Sequence, residues 1–187
     1  MSSNGKIDRR ARRTRHALTQ ALLSLGAEKR FAEIDIRELT RTAGVGRSTF
    51  YAHYADKDDF LASSVIGMIG HFEAAAAKNQ SDRADPLPAR QLFEHFHEAR
   101  IFAQKMHASG EFVRLCDAIE PKLRAVALAN IAHLAPHLPT ERRTECALFI
   151  TGGFLGLARW WIESGMTRSP AEMHTAFAAM CQRILAA

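Results

Sequence analysis

Several residue types are scarce in this chain, and their scarcity excludes whole classes of protein. The 187 residues include three cysteines, at positions 116, 146 and 181, without any CxxC spacing. Neither a disulfide framework nor a zinc site is therefore indicated. Six prolines and eleven glycines argue against a disordered chain. The longest apolar run, residues 146–158, is too short to span a bilayer.

Signals for export and catalysis are missing as well. The first residues lack the apolar core of a signal peptide, and unpaired cysteines suit a reducing compartment. We therefore expect a soluble cytoplasmic protein without a membrane partner. The chain contains no GxSxG, P-loop or GxGxxG motif and no paired acidic motif at metal-binding spacing. We predict that it is not an enzyme and uses no cofactor.

Nine histidines raise the question of a metal site. His95 and His97 would face different sides of one helix, and Pro136 interrupts the pair formed by His133 and His137. Scattered histidines without carboxylate or cysteine neighbours are more often surface or packing residues. No metal site is predicted.

The positive charge is concentrated at the N-terminus. Residues 1–15 contain six basic residues and one acid, which accounts for the whole net charge of +5. Such a basic arm on a neutral body is typical of phosphate contact, although a solvated tail would have the same composition. The basic residues are Lys6, Arg9, Arg10, Arg12, Arg13 and Arg15.

Residues 35–61 read as two short helices joined by a glycine turn, followed by the start of a third. Asp35 can cap the first helix, and Glu38 can reach back to complete a capping box. Gly44 can end that helix because it adopts positive φ easily. The second helix is predicted over 47–53, with Phe50 and Tyr54 on its inner side. This pattern predicts a helix-turn-helix motif.

The outward side chains of the second helix are hydrogen-bond donors, which suits contact with DNA. Arginine pairs bidentately with guanine and serine can serve several bases. Arg47 and Ser48 of the second helix are therefore candidates for contacts with base edges. Arg37, on the first helix of the motif, is a third candidate.

The segment Thr-Phe-Tyr-Ala-His-Tyr followed by Asp-Lys-Asp-Asp-Phe-Leu, residues 49–54 and 56–61, resembles the tetracycline-repressor-type (TetR, or TetR-AcrR) family of bacterial transcription regulators. In that family the segment forms the recognition helix and the start of the next helix. The resemblance implies that Arg37, Arg47 and Ser48 face the major groove. It further implies that Thr49, Tyr51, His53 and Lys57 mostly contact phosphates. Packing inside the domain is the alternative for Tyr51 and His53.

No segment alternates like a strand, so the predicted fold is all-α with about nine helices. The first should span residues 8–25 and end at Gly26, and a linker helix should span 56–77. A polar stretch, 78–88, reads as a loop. One helix is predicted over 92–106, and Pro121 should start a new helix. Ser169 and Glu172 form a capping box for the last helix.

We predict two domains, a basic arm with the helix-turn-helix over 1–55 and a ligand-binding and dimerisation domain over 56–187. The helix after Thr140 is apolar almost all round, which favours a homodimer through the last two helices. The alternative is that both helices bury within the monomer. The resemblance implies a small-molecule pocket in this half. The candidates for contact with the ligand are Phe72, Phe93, His97, Phe112, Cys116, Phe149 and Trp160. Plain core packing is the alternative for each of them.

Together these features predict a homodimeric transcription regulator, a repressor that a small-molecule inducer of unknown identity releases from a palindromic operator in double-stranded DNA. Two alternatives stay open from sequence. A nonspecific architectural protein would use the basic arm alone, and a helical protein that binds hydrophobic ligands would not need DNA.

Overall fold

The computed structural model describes residues 3–76 and 85–186, with side chains described from residue 11 onward. Two compact units can be distinguished, Met1–Ser64 and Val65–Ala187. Throughout the described residues the regular structure is helical, without any strand. The predicted all-α fold is therefore confirmed. The predicted domain boundary at residues 55 and 56 stays a prediction.

Nine α-helices and a single 3₁₀ turn, Phe31–Glu33, make up the described regular structure. None of these helices is both long enough and apolar enough to cross a membrane. The helices are α1 Ser3–Glu28, α2 Ile36–Thr42, α3 Arg47–Tyr51, α4 Lys57–Ala76, α5 Ala89–Glu98, α6 Arg100–Ala108, α7 Glu111–Leu134, α8 Thr140–Glu163 and α9 Pro170–Ala186.

The first unit is built on the apolar stripe of α1. Leu18 and Leu22 are buried at the four-residue spacing of one helix face. The helix does not end at Gly26 as predicted but continues to Glu28. Glycine favours a helix end where the chain turns into positive φ, and Gly26 is not among the positive-φ glycines. The core of this unit also contains Phe31, Ile34, Leu39, Phe50, Tyr54 and Phe60.

The second unit has an aromatic centre. Its helices pack in pairs, α7 along α8 and α5 along α9. The Phe93 ring lies 5.2 Å from the Phe154 ring and 5.5 Å from the Trp161 ring, measured between centroids. The Phe177 ring of α9 lies edge-on to the Phe154 ring, at 5.5 Å between centroids. These edge-on and tilted contacts connect α5, α8 and α9.

Two predicted helix boundaries in this unit are wrong. The predicted helix over 92–106 is interrupted at Ala99, whose ψ of 21° is not helical. No glycine or proline marks this break. Conversely, Pro121 does not start a new helix but lies inside α7. Proline removes one backbone donor there, and the burial of Ile119 and Leu123 on one continuous face offsets the loss.

Two further predictions concern segments next to helix ends. The predicted loop 78–88 lies largely outside the described residues, which resume at residue 85. The capping box of α9 is confirmed. The Ser169 N–H donates to Glu172 Oε2 at 2.7 Å, and the Glu172 N–H donates to Ser169 Oγ at 3.2 Å.

We predict that Phe154→Ala lowers the free energy of unfolding by about 3–5 kcal/mol, because Phe154 is fully buried and leaves a cavity between three helices. Urea unfolding followed by circular dichroism measures this loss. Leu128→Ala, a truncation of a partly exposed side chain in α7, is the control and should cost much less. Equal losses for the two variants would contradict this description of the core.

Candidate nucleic-acid interface

Helix α2 begins where the sequence predicts. The Asp35 carboxylate accepts a hydrogen bond from the Glu38 N–H at 2.7 Å and so caps the helix. The second half of the predicted capping box is wrong. Instead of reaching back to Asp35, the Glu38 carboxylate accepts two hydrogen bonds from Lys29 Nζ, at 2.6 and 2.7 Å. This ion pair ties α2 to the residues that follow α1.

The turn between α2 and α3 depends on Gly44. Its φ of +64° lies in the left-handed region that side chains with a Cβ rarely adopt. The Gly44 N–H donates to the Arg41 carbonyl at 3.1 Å, and the Val45 N–H donates to the Thr40 carbonyl at 2.9 Å. These bonds satisfy the last carbonyls of α2 and direct the chain into α3.

Helix α3 is anchored by an aromatic cluster, Phe50, Tyr54 and Phe60. Phe50 is fully buried. Its ring centroid lies 5.4 Å from that of Tyr54 and 5.9 Å from that of Phe60, and Tyr54 and Phe60 are 5.0 Å apart. This burial determines which side of α3 is left to solvent.

The side of α2 and α3 away from this cluster carries most of the predicted DNA contacts. Neither Arg37 nor Arg47 forms an ion pair with another described residue. Tyr51 packs edge-on against Phe50, at 5.5 Å between centroids, and is still 50% exposed. Thr49 is half-buried. The exposed candidates are Arg37, Arg47, Ser48, Tyr51 and His53.

One exposed cation on this side was missed by the sequence analysis. Arg41 lies one helical turn after Arg37 and is exposed like it. The i, i+4 spacing of the two arginines was the signal that could have identified it.

In the basic arm, Arg12 and Arg13 are exposed. The Arg15 Nε donates to the hydroxyl of Tyr54 at 3.3 Å, which connects the arm to the aromatic cluster. The predictions for Lys6, Arg9 and Arg10 fall outside the described side chains.

Lys57 differs from the other DNA-contact candidates because its charge is used within the first unit. The half-buried ammonium donates to the carbonyls of Phe31, Ala32 and Ile34, at 2.6, 2.9 and 3.1 Å. Its predicted phosphate contact stays a prediction, and that contact would compete with these three bonds.

The candidate ligand residues of the second unit do not share one environment. Phe93 and Phe112 are packed in the core. His97 is half-buried and stacks on Trp161, at 6.2 Å between centroids, and its Nδ1 has no hydrogen-bond partner among the described residues. Phe72 and Cys116 are half-buried. Burial raises the pKa of the Cys116 thiol to about 11, so this thiol is protonated at neutral pH.

Phe149 and Trp160 differ from these residues in their exposure, and their predicted contact with a ligand stays a prediction. Phe149 is 68% exposed and Trp160 is 48% exposed on the outer side of α8. Both line an apolar surface groove of about 290 Å³ between α8 and α9. The α8–α9 groove is lined by Phe149, Ile150, Gly153, Gly156, Leu157, Trp160, Phe177, Met180, Cys181 and Ile184.

Among the described side chains, those of residues 11–76 and 85–186, no group of three or more His, Cys, Asp or Glu residues could hold a metal ion.

Helices α2 and α3, joined by the short turn at Gly44, form a helix-turn-helix motif. Residues 88–183 match a family model of the TetR type, TetR_C_8, which describes a transcriptional regulator C-terminal region. Because this match covers half of the chain, the chain belongs to the TetR family of transcriptional regulators. The resemblance seen in the sequence is thereby confirmed. Members of this family are regulators rather than enzymes.

A relative with a similar sequence is YxbF of Bacillus subtilis strain 168, an uncharacterised HTH-type transcriptional regulator. It is 41% identical over 80 residues, which are 40% of this chain and 21% of that protein. The chain therefore spans about a fifth of the length of this relative in the match.

Two solved structures share the fold with low sequence identity. One is the dihydroxyacetone kinase operon activator DhaS, with a TM-score of 0.64, 15% identity, and coverage of 92% of this chain and 96% of that chain. The other is a TetR transcriptional regulator from Rhodococcus sp. RHA1, with a TM-score of 0.64, 17% identity, and coverage of 94% and 97%.

We predict that Asp35→Ala lowers the thermal stability at neutral pH and that the difference from the wild type disappears in acid. The hydrogen bond from the Glu38 N–H holds the pKa of the Asp35 carboxyl below its usual range. The ionised carboxylate therefore stabilises the folded state above its usual pKa, near roughly pH 4, and this stabilisation is lost as the pH falls through the lower folded value.

Thermal midpoints between neutral pH and pH 3 test this prediction. Asp35→Asn is the matched control, because asparagine also caps helices but does not titrate. A stability difference for Asp35→Ala that is independent of pH would contradict the role of the charge.

Proposed function

We propose that this chain is a homodimeric, sequence-specific DNA-binding regulator that recognises a palindromic operator and responds to a small molecule. The observation that carries the proposal is the exposed polar side of α2 and α3, with Arg37, Arg47 and Ser48, above the buried Phe50 anchor. A short helix presenting such donors suits the major groove, where arginine and serine can bind base edges.

We call Arg37, Arg47 and Ser48 the reading surface, and we assign phosphate contacts to the residues around it. Tyr51 ends α3 and His53 follows it, and both are exposed, whereas Thr49 is half-buried within α3. The exposed cations Arg12, Arg13 and Arg41 add sequence-independent attraction to the backbone. Such contacts would set the orientation of the motif on the duplex, while Arg37, Arg47 and Ser48 would select the sequence.

The proposed dimer forms through α8 and α9. Exposed Phe149 and Trp160 would be costly to leave in water on a helix that also has a complete buried side. Gly152, Gly153 and Gly156 have open space where a side chain would stand, so a partner helix can approach closely. A two-fold axis through this surface would present two reading helices to a palindrome, at the roughly 34–36 Å spacing of successive major grooves.

Regulation by a small molecule is proposed for the second unit. His97 is the candidate for a polar contact, since its Nδ1 is covered and lacks a partner among the described residues. Phe72 and Cys116 are half-buried candidates, and Phe93 and Phe112 would be reached only by repacking of the core. An effector that binds two states of α4 with different affinity would change the spacing of the reading helices.

We propose specifically that the protein represses transcription and that an inducer releases it from the operator. The fold does not decide this point, because DhaS, which shares it, is named an operon activator. Transcription in vitro from a promoter with the identified operator, with and without the protein, tests it. Lower transcript levels with the protein support repression, and higher levels would contradict it.

Selection of genomic DNA fragments by the purified protein at physiological salt, followed by footprinting of the best fragment, tests DNA recognition. We expect a protected palindrome that survives competition with random DNA. Uniform, salt-sensitive recovery of all fragments would contradict specific recognition and favour a nonspecific architectural protein. A chain that recovers no DNA would favour a protein that binds hydrophobic ligands alone.

We predict that Arg47→Ala weakens operator binding by roughly 1–3 kcal/mol and relaxes the preference at one base position. The lost group is the bidentate donor proposed to contact a base edge. Titration of labelled operator variants at constant salt measures both effects. Arg90→Ala, which removes an exposed arginine of α5 that pairs with Glu94, is the control and should bind like the wild type. If Arg47→Ala also binds like the wild type, this residue does not read the operator.

We predict that the double variant Phe149→Glu, Trp160→Glu is monomeric. Two carboxylates per subunit would be buried in an apolar contact, at a large desolvation cost. Sedimentation velocity across a range of concentrations measures the oligomeric state. Ile101→Glu is the control. Ile101 of α6 is as exposed as Trp160, at 48%, but lies outside the α8–α9 groove. A double variant that sediments as a dimer would rule out this interface.

A further inference from the structure

The Lys57 ammonium is surrounded by the backbone of one turn. It donates to the carbonyl oxygens of Phe31 at 2.6 Å, Ala32 at 2.9 Å and Ile34 at 3.1 Å. An ammonium has three N–H donors, so this set uses all of them. Nζ also lies 4.7 Å from the centroid of the Phe31 ring, within the range of a cation–π contact.

These contacts stabilise both the lysine charge at the start of α4 and the carbonyl groups of the turn. A lysine at the first position of α4 faces the positive end of the helix dipole and needs negative charge nearby. The three carbonyls of the turn converge on one point, where a cation offsets their partial negative charges. Because the side chain is half-buried, water would replace these bonds only incompletely if the ammonium were removed.

The turn that Lys57 holds is the one that leads into α2. Ile34 accepts one of the three bonds and directly precedes Asp35, the N-cap of the helix. The residues joined in this way are 23 to 26 positions apart in the chain. The position of α2, and with it the position of Arg37, is therefore tied to the first turn of α4.

We propose that Lys57 is a positioning residue that clamps the turn before α2 to the start of α4, and that it does not neutralise a DNA phosphate. A phosphate contact would require Nζ to leave three carbonyls at short distance. The part of the proposal that concerns DNA rests on the proposed function, whereas the clamp itself concerns the protein alone.

The first experiment uses wild-type protein labelled with ¹⁵N in its lysine side chains, without DNA. Protons of a fully hydrogen-bonded ammonium exchange slowly with water, so we expect a persistent Nζ–H signal, assigned by its loss in Lys57→Arg. Addition of operator DNA should leave the signal in place. Exchange as fast as that of a solvated lysine would overturn the clamp, and a signal shifted by DNA would overturn the exclusion of phosphate.

The second experiment compares Lys57→Met with Arg41→Met, which removes an equal charge from an exposed position of the same unit. We expect the thermal midpoint of Lys57→Met to fall by roughly 4–8 °C, since three carbonyls lose their partner, and that of Arg41→Met to stay near the wild type. An unchanged midpoint for Lys57→Met would overturn the clamp.

Salt dependence then separates positioning from phosphate contact. Operator affinity of Lys57→Met should fall, while the slope of log K against log salt should match the wild type. A slope flatter by about 0.9 would mean that one phosphate contact has been lost, which would overturn the proposal. If the wild type selects no operator, the proposed function fails, and the midpoints and the lysine signal still decide whether the clamp exists.

Discussion

The candidate reading surface depends on the burial of Phe50. Helix α3 has five residues, far fewer than the dozen or so that an isolated helix needs to be stable in water. Its conformation must therefore come from its surroundings. Phe50 packs against Tyr54 and Phe60, and Gly44 sets the direction from which the chain enters. Arg47 and Ser48 are exposed because the opposite side of the helix is held in the core.

Cations of the first unit fall into two groups with different roles. Arg37, Arg41 and Arg47 are exposed and are available to an anionic partner. Lys57 instead stabilises the carbonyl groups of a turn, and Arg15 donates to Tyr54. The sequence does not distinguish these two groups, because the charge of a residue does not show whether its side chain already donates hydrogen bonds within the fold.

Helix α8 shows how far sequence patterns reach in the second unit. Its middle is apolar almost all round, so its periodicity does not distinguish the inner side from the outer side. In the structure Phe154 and Trp161 are buried, whereas Phe149 and Trp160 line the α8–α9 groove. Because of this ambiguity, the sequence could not tell which of these aromatic residues are buried and which are exposed.

Helix boundaries were predicted correctly at side-chain caps and at one positive-φ turn, but not where a glycine or a proline alone was taken as the signal. The caps at Asp35 and Ser169 and the turn at Gly44 are confirmed, because each depends on atoms within a few residues. The break at Ala99 was missed since no residue type marks it. The number of described α-helices agrees with the predicted nine only because this missed break compensates for the helix start wrongly placed at Pro121.

The sequence by itself therefore determined the all-α fold, the helix-turn-helix and the family, since these follow from helical periodicity, caps and a short motif of neighbouring residues. Only the tertiary structure decided which side of α8 is covered and where the Lys57 ammonium lies. Both depend on contacts between segments far apart in the chain, such as the 23 to 26 positions that separate Lys57 from its carbonyl partners. Contacts over such distances arise from packing, and no local pattern of residue types encodes them.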